Sequence, residues 1–136
     1  WEASMFKFAL LLLMVFVMVG CNGTGSTMQK SDFEGKLRHC VMFKFKEGTS
    51  QAKITEIEKA FAQLPSKIPT IIGYEWGTDV GVEDLDMGYT HCFLVTFEDA
   101  KGRAVYLPHP AHKEFVALLL PNLEEVHVID YVAKTK

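Results

Sequence analysis

The sequence lacks an excess of positive charge, and this absence excludes one class of partner. Its 14 lysines and arginines are outnumbered by 17 aspartates and glutamates, which gives a formal net charge of −3 at pH 7. Proteins that bind nucleic acid neutralise phosphates with clustered basic side chains. We therefore expect no nucleic-acid partner.

Cysteine is scarce, and no pair of cysteines has metal-binding spacing. Cys21, Cys40 and Cys92 include no C-x-x-C pair, which excludes the common zinc motifs, and three cysteines do not imply a disulfide framework. We interpret Cys40 and Cys92 as small apolar residues of two strands. An oxidising compartment would permit a bridge between them, but antiparallel pairing of their strands should set them several residues apart, too far to bond.

Metal ligands are few as well. His109 and His112 are three residues apart, a spacing that could hold zinc only with a third ligand. His109 precedes Pro110 at the expected start of a helix, where we expect it to cap the helix or face solvent. We expect neither a metal ion nor a cofactor.

Long hydrophobic runs are also absent. The longest covers residues 8–19, twelve apolar residues after Lys7, whereas a membrane-spanning helix needs about 20. Such a run is typical of a secretory signal, and its end, Met18-Val19-Gly20-Cys21, resembles the bacterial lipobox. The sequence therefore predicts a signal peptide over residues 1–20, with residues 1–4 as an artefact before Met5, and lipidation of Cys21.

Residues 21–36 are rich in glycine, serine, threonine and charge and have no apolar period, so we interpret them as a flexible tether behind the lipid. This places the protein in the cell envelope, lipid-anchored to a bacterial membrane and facing outside the cytoplasm. The membrane is then a partner through the lipid anchor alone. A cleaved signal without lipid, or an uncleaved anchor, is the alternative.

The remaining residues, 37–136, predict one α+β domain. Alternation of apolar and polar residues marks strands and a spacing of three to four marks helices, which gives strands over 38–46, 70–79, 90–98 and 125–132, and helices over 50–64, 99–106 and 110–120. This order predicts a ferredoxin-like βαββαβ fold. Right-handed crossovers then give a four-stranded antiparallel sheet with strand order 4-1-3-2.

The helices of such a fold cover one face of the sheet and leave the other bare. The bare face should carry an apolar strip larger than a soluble monomer usually exposes, formed by Cys40, Met42, Cys92, Leu94 and Ile129. A twofold pairing of two sheets would bury the strip. We therefore predict a homodimer, a dimeric α/β-barrel.

Six motifs of the domain carry a family resemblance. They are Arg38 to Lys46 (RHCVMFKFK), Trp76-Gly77-x-Asp79, Gly88-Tyr89-Thr90-His91, Val95-Thr96-Phe97-Glu98, Tyr106-x-x-His109-Pro110-x-His112 and Asp130-Tyr131. Their combination resembles the stress-responsive A/B-barrel (Dabb) family across essentially the whole domain.

The resemblance implies a site between the helices and the sheet. In a plant polyketide cyclase of the family, a tyrosine and a histidine act as base and helper in an intramolecular aldol condensation, and they match Tyr106 and His112. Further cavity histidines match His39 and His91, and a carboxylate near the end of the last strand matches Asp130. The resemblance does not supply the substrate.

The residues themselves support an inward-facing site. His112 shares a helix face with Phe115 and Leu119, so it should point at the sheet. A neutral imidazole in an apolar pocket, fixed by a carboxylate, can act as a general base. We assign catalysis to His112, Tyr106, His39 and Asp130, and ligand contacts to His91, Trp76 and Phe43. Each histidine alone has the alternative of a buried structural role.

Three functions remain open at this point. The first is binding of a small, largely apolar molecule with cyclase-like or lyase-like acid–base chemistry. The second is a non-catalytic dimer that serves as a stress-response or surface interaction module. The third, from fold analogy alone, is a cofactor-free monooxygenase. A continuous cavity of about 300 Å³ or more beside His112, Tyr106 and His39 would favour the first function, and a filled interior the second.

Overall fold

A computed structural model describes residues 32–134 of the chain. Its elements, in chain order, are β1 (Leu37–Phe45), α1 (Gln51–Ala62), α2 (Leu64–Lys67), β2 (Ile71–Thr78), β3 (His91–Phe97), α3 (Ala100–Tyr106), α4 (Pro110–Leu119), a 3₁₀ turn (Leu120–Asn122) and β4 (Leu123–Val132). The predicted signal peptide, Cys21 and most of the tether lie outside the described residues. No helix within residues 32–134 has the length and apolar character to cross a bilayer.

The helices begin where the sequence supplies an acceptor for their free N–H groups. The Ser50 hydroxyl accepts a hydrogen bond from the Lys53 N–H at the start of α1. Asp99 does the same for α3, through the N–H groups of Lys101 and Gly102. These caps fix where each helix leaves the sheet and hence which side chains face it.

The strands form one antiparallel sheet in the order β2-β3-β1-β4, which confirms the predicted α+β ferredoxin-like fold. Alternate residues of β1 and β3 point at the helices and pack a core of aromatic rings. Phe61 of α1 stacks on Phe93 at 4.5 Å between ring centroids, and Phe43 lies 4.9 Å from Phe93. The core therefore lies wholly between the helices and one face of the sheet.

The opposite face, which we call the outer face, carries the predicted apolar strip. Leu94 is half-buried and Ile129 is 48% exposed in the single subunit. The expected separation of the two strand cysteines is wrong, however. Cys40 lies opposite Leu94 and Cys92 opposite Met42, so the cysteines are diagonal neighbours, and their Sγ atoms are 3.6 Å apart.

The reason for this difference is the register of the β1–β3 pair. In this register Leu37 lies opposite Phe97 and Cys40 opposite Leu94, so Cys92 is only two residues away from the partner of Cys40. The sequence predicts the antiparallel direction of the two strands but contains no local signal for the offset between them.

Residues before the predicted domain boundary at residue 37 also contact the sheet. Residues 32–35 form a turn, in which the Gly35 N–H donates to the Ala133 carbonyl at 2.9 Å. The Phe33 ring lies under the Arg38 guanidinium, 4.6 Å from its Cζ. A cation over an aromatic ring is attractive, and this contact holds the end of the predicted tether against the sheet.

Candidate functional site

A cavity of about 200 Å³ lies between the sheet and helices α3 and α4. Its walls are mostly apolar, and its polar lining residues are three aromatic side chains at one end: His39, Tyr106 and His112. Val126 and Val128 of the edge strand β4 also line it and are 47% and 46% exposed. The cavity therefore opens to solvent along the β4 edge.

His39 is held by a carboxylate on the neighbouring strand. It lies directly opposite Asp130 in the β1–β4 register, and its Nδ1–H donates to Asp130 Oδ1 at 2.6 Å. The other oxygen of Asp130 accepts from Arg103 of α3. Because Nδ1 is the donor, a neutral His39 carries its lone pair on Nε2.

Tyr106 and His112 lie against each other, 4.2 Å between ring centroids, and His39 is 5.8 Å from Tyr106. The Tyr106 side chain is 1% exposed, and burial raises the pKa of its hydroxyl well above the usual range. The phenol therefore stays protonated at neutral pH and can donate a hydrogen bond.

His112 has the properties of a neutral base. Its Nδ1–H donates to the Leu107 carbonyl at 3.0 Å, which leaves the lone pair of the neutral ring on Nε2. Burial lowers the pKa of His112 below its ordinary 6.5; the hydrogen bond to the Leu107 carbonyl opposes this shift, and the nearby His39 and His109 add to it. The ring is therefore predominantly neutral at pH 7 and able to accept a proton.

The predicted ligand residues divide between two places. Phe43 lines the cavity, whereas His91 and Trp76 do not belong to its lining. His91 lies at the other end of the core, where its Nε2–H donates to Glu58 Oε1 at 3.0 Å and Thr90 Oγ1 is 2.8 Å from Nδ1. The Trp76 ring is stacked parallel to it, 6.3 Å between centroids.

The structure therefore does not bring His91 and Trp76 together with His39, Tyr106 and His112 at the cavity. Both ring nitrogens of His91 have hydrogen-bond partners, so its imidazole is a buried structural group in this state. His91 is paired here because α1 places Glu58 over this end of the sheet, where the carboxylate accepts a hydrogen bond from the imidazole. The helical spacing of α1 was visible in the sequence, but the partner of Glu58 was not.

Two groups that complete the site were not predicted from the sequence. Arg103 precedes Tyr106 by three residues, so the two share a face of α3, and this spacing was a signal that the sequence did contain. The Leu107 carbonyl had no such signal, because a backbone acceptor is positioned by the turn between α3 and α4. His109 caps α4 by accepting from the Ala111 N–H at 3.2 Å, as expected.

A second and larger concavity, of about 610 Å³, lies on the outer face beneath residues 79–90. Its lining includes Met42, Cys92 and His127 of the sheet and the exposed Leu85 and Met87 of the loop. It is separate from the His39 cavity because it lies on the other side of the sheet. Within residues 32–134 there is no cluster of three or more histidine, cysteine or acidic side chains placed to bind a metal ion.

Comparison with known proteins agrees with this architecture. The sequence profile of the Stress responsive A/B Barrel Domain matches residues 37–133. The chain is 43% identical over 98 residues to the stress-response A/B barrel domain-containing protein HS1 of Arabidopsis thaliana, covering 72% of this chain and 90% of that protein. It is 32% identical over 98 residues to olivetolic acid cyclase of Cannabis sativa, covering 72% and 97%.

Solved structures of other proteins are also similar to this fold. The hydroxynitrile lyase of Passiflora edulis is 29% identical with a TM-score of 0.71, over 76% of this chain and 97% of that one. A protein of Thermobifida fusca, described as a dimeric ferredoxin-like protein of unknown function, shares the fold at 22% identity, with a TM-score of 0.65 and the same coverage. On the match of residues 37–133 and the identity to HS1, this chain belongs to the stress-responsive A/B barrel (Dabb) family.

Proposed function

We propose that this protein binds a compact, largely apolar carbonyl compound in the His39 cavity and removes a proton from it. The observation that carries the proposal is that one apolar cavity is bordered by a neutral imidazole, a protonated phenol and a second, carboxylate-held imidazole. Relatives named as a cyclase and a lyase support chemistry of this general kind.

Each polar group has a role that follows from its hydrogen bonds. The Nε2 of His112 accepts the proton, because Nδ1 is committed to the Leu107 carbonyl. The Tyr106 hydroxyl donates to the oxygen on which negative charge develops. The His39–Asp130 pair holds a second imidazole in one tautomer beside Tyr106, with its lone pair on Nε2, and the protonated His112 returns the proton that it has taken.

The cavity limits what can bind. Its volume of about 200 Å³ is smaller than the roughly 300 Å³ at which small-molecule pockets begin. The interior is not filled, but the space suits a single ring or a short chain rather than a long one. A longer substrate would have to extend out past Val126 and Val128 at the β4 edge.

Acetophenone, an aromatic ketone with exchangeable methyl protons, is a suitable probe. We expect the protein to accelerate deuterium exchange of these protons in D₂O, followed by NMR. His112→Ala should reduce the acceleration by about 10²–10⁴-fold, the usual contribution of a general base. His127→Ala on the outer face is the matched control and should retain it. Equal exchange in both variants would contradict the assignment of the base.

The second candidate function is a non-catalytic dimer, and the outer face favours it. That face combines the apolar strip with a broad groove, which is a feature of an interaction surface. A protein that dimerises and neither binds nor exchanges acetophenone would support this candidate over the first.

We propose a homodimer in either case. The strip of Cys40, Met42, Cys92, Leu94 and Ile129 lies on one face of the sheet, and a second copy offers the same strip to it. The dimeric fold relative has the same arrangement of elements.

We also propose that Cys21 carries lipid and holds the domain at a bacterial membrane, outside the cytoplasm. The support is the short apolar run over residues 8–19 followed directly by Gly20-Cys21. Two acyl chains hold a protein stably at a bilayer, whereas one does not. Cys21→Ser should move the protein from the membrane fraction to the soluble fraction and abolish its labelling by radioactive palmitate. Unchanged labelling would refute the site.

A further inference from the structure

Two thiols lie side by side on the outer face, away from the His39 cavity. Cys40 of β1 and Cys92 of β3 are diagonal neighbours in the β1–β3 register. Their Sγ atoms are 3.6 Å apart, close to contact distance, and both cysteines are free. They are 52 residues apart in the chain, so only the fold brings them together.

We propose that Cys40 and Cys92 form a reversible disulfide within one subunit, by exchange with a small-molecule disulfide. Bonded sulfurs are about 2.0 Å apart, so the present gap has to close by roughly 1.6 Å. Both strands are inner strands of the sheet and are hydrogen-bonded on both sides. The closure therefore comes mainly from rotation of the two side chains about χ1.

The two sulfurs differ in accessibility, which sets the order of the reaction. Cys92 is exposed, whereas Cys40 is half-buried, and burial raises the pKa of the Cys40 thiol to about 11, with the neighbouring Cys92 adding to the effect. The thiolate is the nucleophile in thiol–disulfide exchange. Cys92 is therefore the residue that reacts first with an external disulfide.

The thiol–disulfide exchange needs neither a metal nor an enzyme, because the small disulfide is the oxidant. The Cys92 thiolate attacks one sulfur of the small disulfide, forming a mixed disulfide and releasing one small thiolate. Cys40 then loses its proton and attacks the Cys92 sulfur, which releases the second small thiolate. The two protein thiols are oxidised to one disulfide, the small disulfide is reduced to two thiols, and the protons lost by the protein are taken up by them.

The Cys40–Cys92 pair lies within the surface that a second copy would cover. The effect of association on its oxidation rests on the homodimer proposed above. The external disulfide reaches Cys92 only while that surface is uncovered. The rate of oxidation per subunit should therefore fall as protein concentration rises and the dimer forms. The redox state of the pair and the association of the subunits are then coupled.

The test uses the full chain and glutathione disulfide as the probe. After incubation and quenching with acid, proteolysis without reductant and mass spectrometry should recover a peptide in which Cys40 is linked to Cys92, and dithiothreitol should remove it. Cys40→Ser should accumulate glutathione on Cys92. Cys92→Ser should accumulate at least tenfold less on Cys40 in the same time. Cys21→Ser is the control and should form the same link as the wild type.

Three outcomes would overturn the disulfide: no linked peptide at any protein concentration, a link found only between two subunits on a non-reducing gel, or faster glutathione addition at Cys40 than at Cys92. Light scattering on the same samples separates this result from the dimer. If the chain is monomeric throughout, the homodimer proposal fails. A disulfide that forms at a rate independent of protein concentration then supports the redox pair without its coupling to association.

Discussion

At the scale of single residues, the hydrogen bonds of each histidine ring determine its role. His91 uses both nitrogens, with Glu58 and Thr90 as partners. His112 and His39 each commit Nδ1 to an acceptor, the Leu107 carbonyl and Asp130, so a neutral ring has its lone pair on Nε2. A buried, fully paired imidazole stabilises the fold, whereas a ring with a lone pair beside a cavity can accept a proton.

The lowered pKa of His112 predicts how stability depends on pH. Because this pKa is below the ordinary 6.5 in the folded state, the unfolded chain binds the proton first as the pH falls below 6.5, and stability decreases. The wild type should therefore lose more stability between neutral pH and about pH 5 than His112→Gln, measured by urea unfolding. Equal losses in the two proteins would mean that His112 titrates normally.

Asp130 predicts a second residue-level effect. Its carboxylate accepts from both His39 and Arg103, and Asp130→Asn would weaken both bonds in a partly buried place. We expect a loss of about 1–3 kcal/mol in the free energy of unfolding, measured by denaturant titration. Glu98→Gln, which removes an exposed ion pair with Lys36, is the matched control and should cost less than about 1 kcal/mol. Similar losses of stability in the two variants would show that the Asp130 carboxylate contributes no more than an exposed ion pair.

At the scale of elements, the caps and prolines set where each helix begins and which face it turns inward. Pro110 is the first residue of α4 and His109 its cap, which places His112 in the first turn, over the sheet. Pro121 lies in the 3₁₀ turn after α4, so α4 ends before β4 begins. The element order and most of the boundaries were accordingly predictable from the sequence.

The cap of α1 provides the element-level prediction. Ser50→Ala removes the acceptor for the Lys53 N–H and should destabilise the domain by about 1 kcal/mol. Ser50→Asn retains a capping oxygen and should destabilise the domain by only a few tenths of a kcal/mol. Thermal unfolding of both variants by circular dichroism is the measurement. Equal loss in the two variants would assign the effect to packing at Ser50 rather than to capping.

At the scale of the whole molecule, the sheet has two faces with different features. The face under the helices encloses the aromatic core and the His39 cavity. The outer face holds the apolar strip, the larger groove and the paired thiols. The cavity and the proposed dimer interface are therefore on opposite sides of one layer, and a change on one side need not alter the other.

A charge on the outer face tests this division. Leu94→Glu places a carboxylate in the middle of the apolar strip and should convert the proposed dimer to a monomer, measured by light scattering after size-exclusion chromatography. Because the substituted side chain is not in the core, the circular dichroism spectrum should be unchanged. Val105→Glu, on an apolar residue of α3 that is 52% exposed, is the control and should remain dimeric. If both variants keep the mass of a dimer, the interface lies elsewhere.

The sequence alone determined the fold class, the strand order and the inward direction of His39, Tyr106 and His112. Those features depend on local periodicity, caps and chain connectivity, which are written into neighbouring residues. The tertiary structure alone decided the offset of β1 against β3, which brings Cys40 to Cys92, and the pairing of His91 with Glu58 instead of the cavity. These contacts join residues more than thirty positions apart, and their geometry depends on how helices and strands pack rather than on any local pattern.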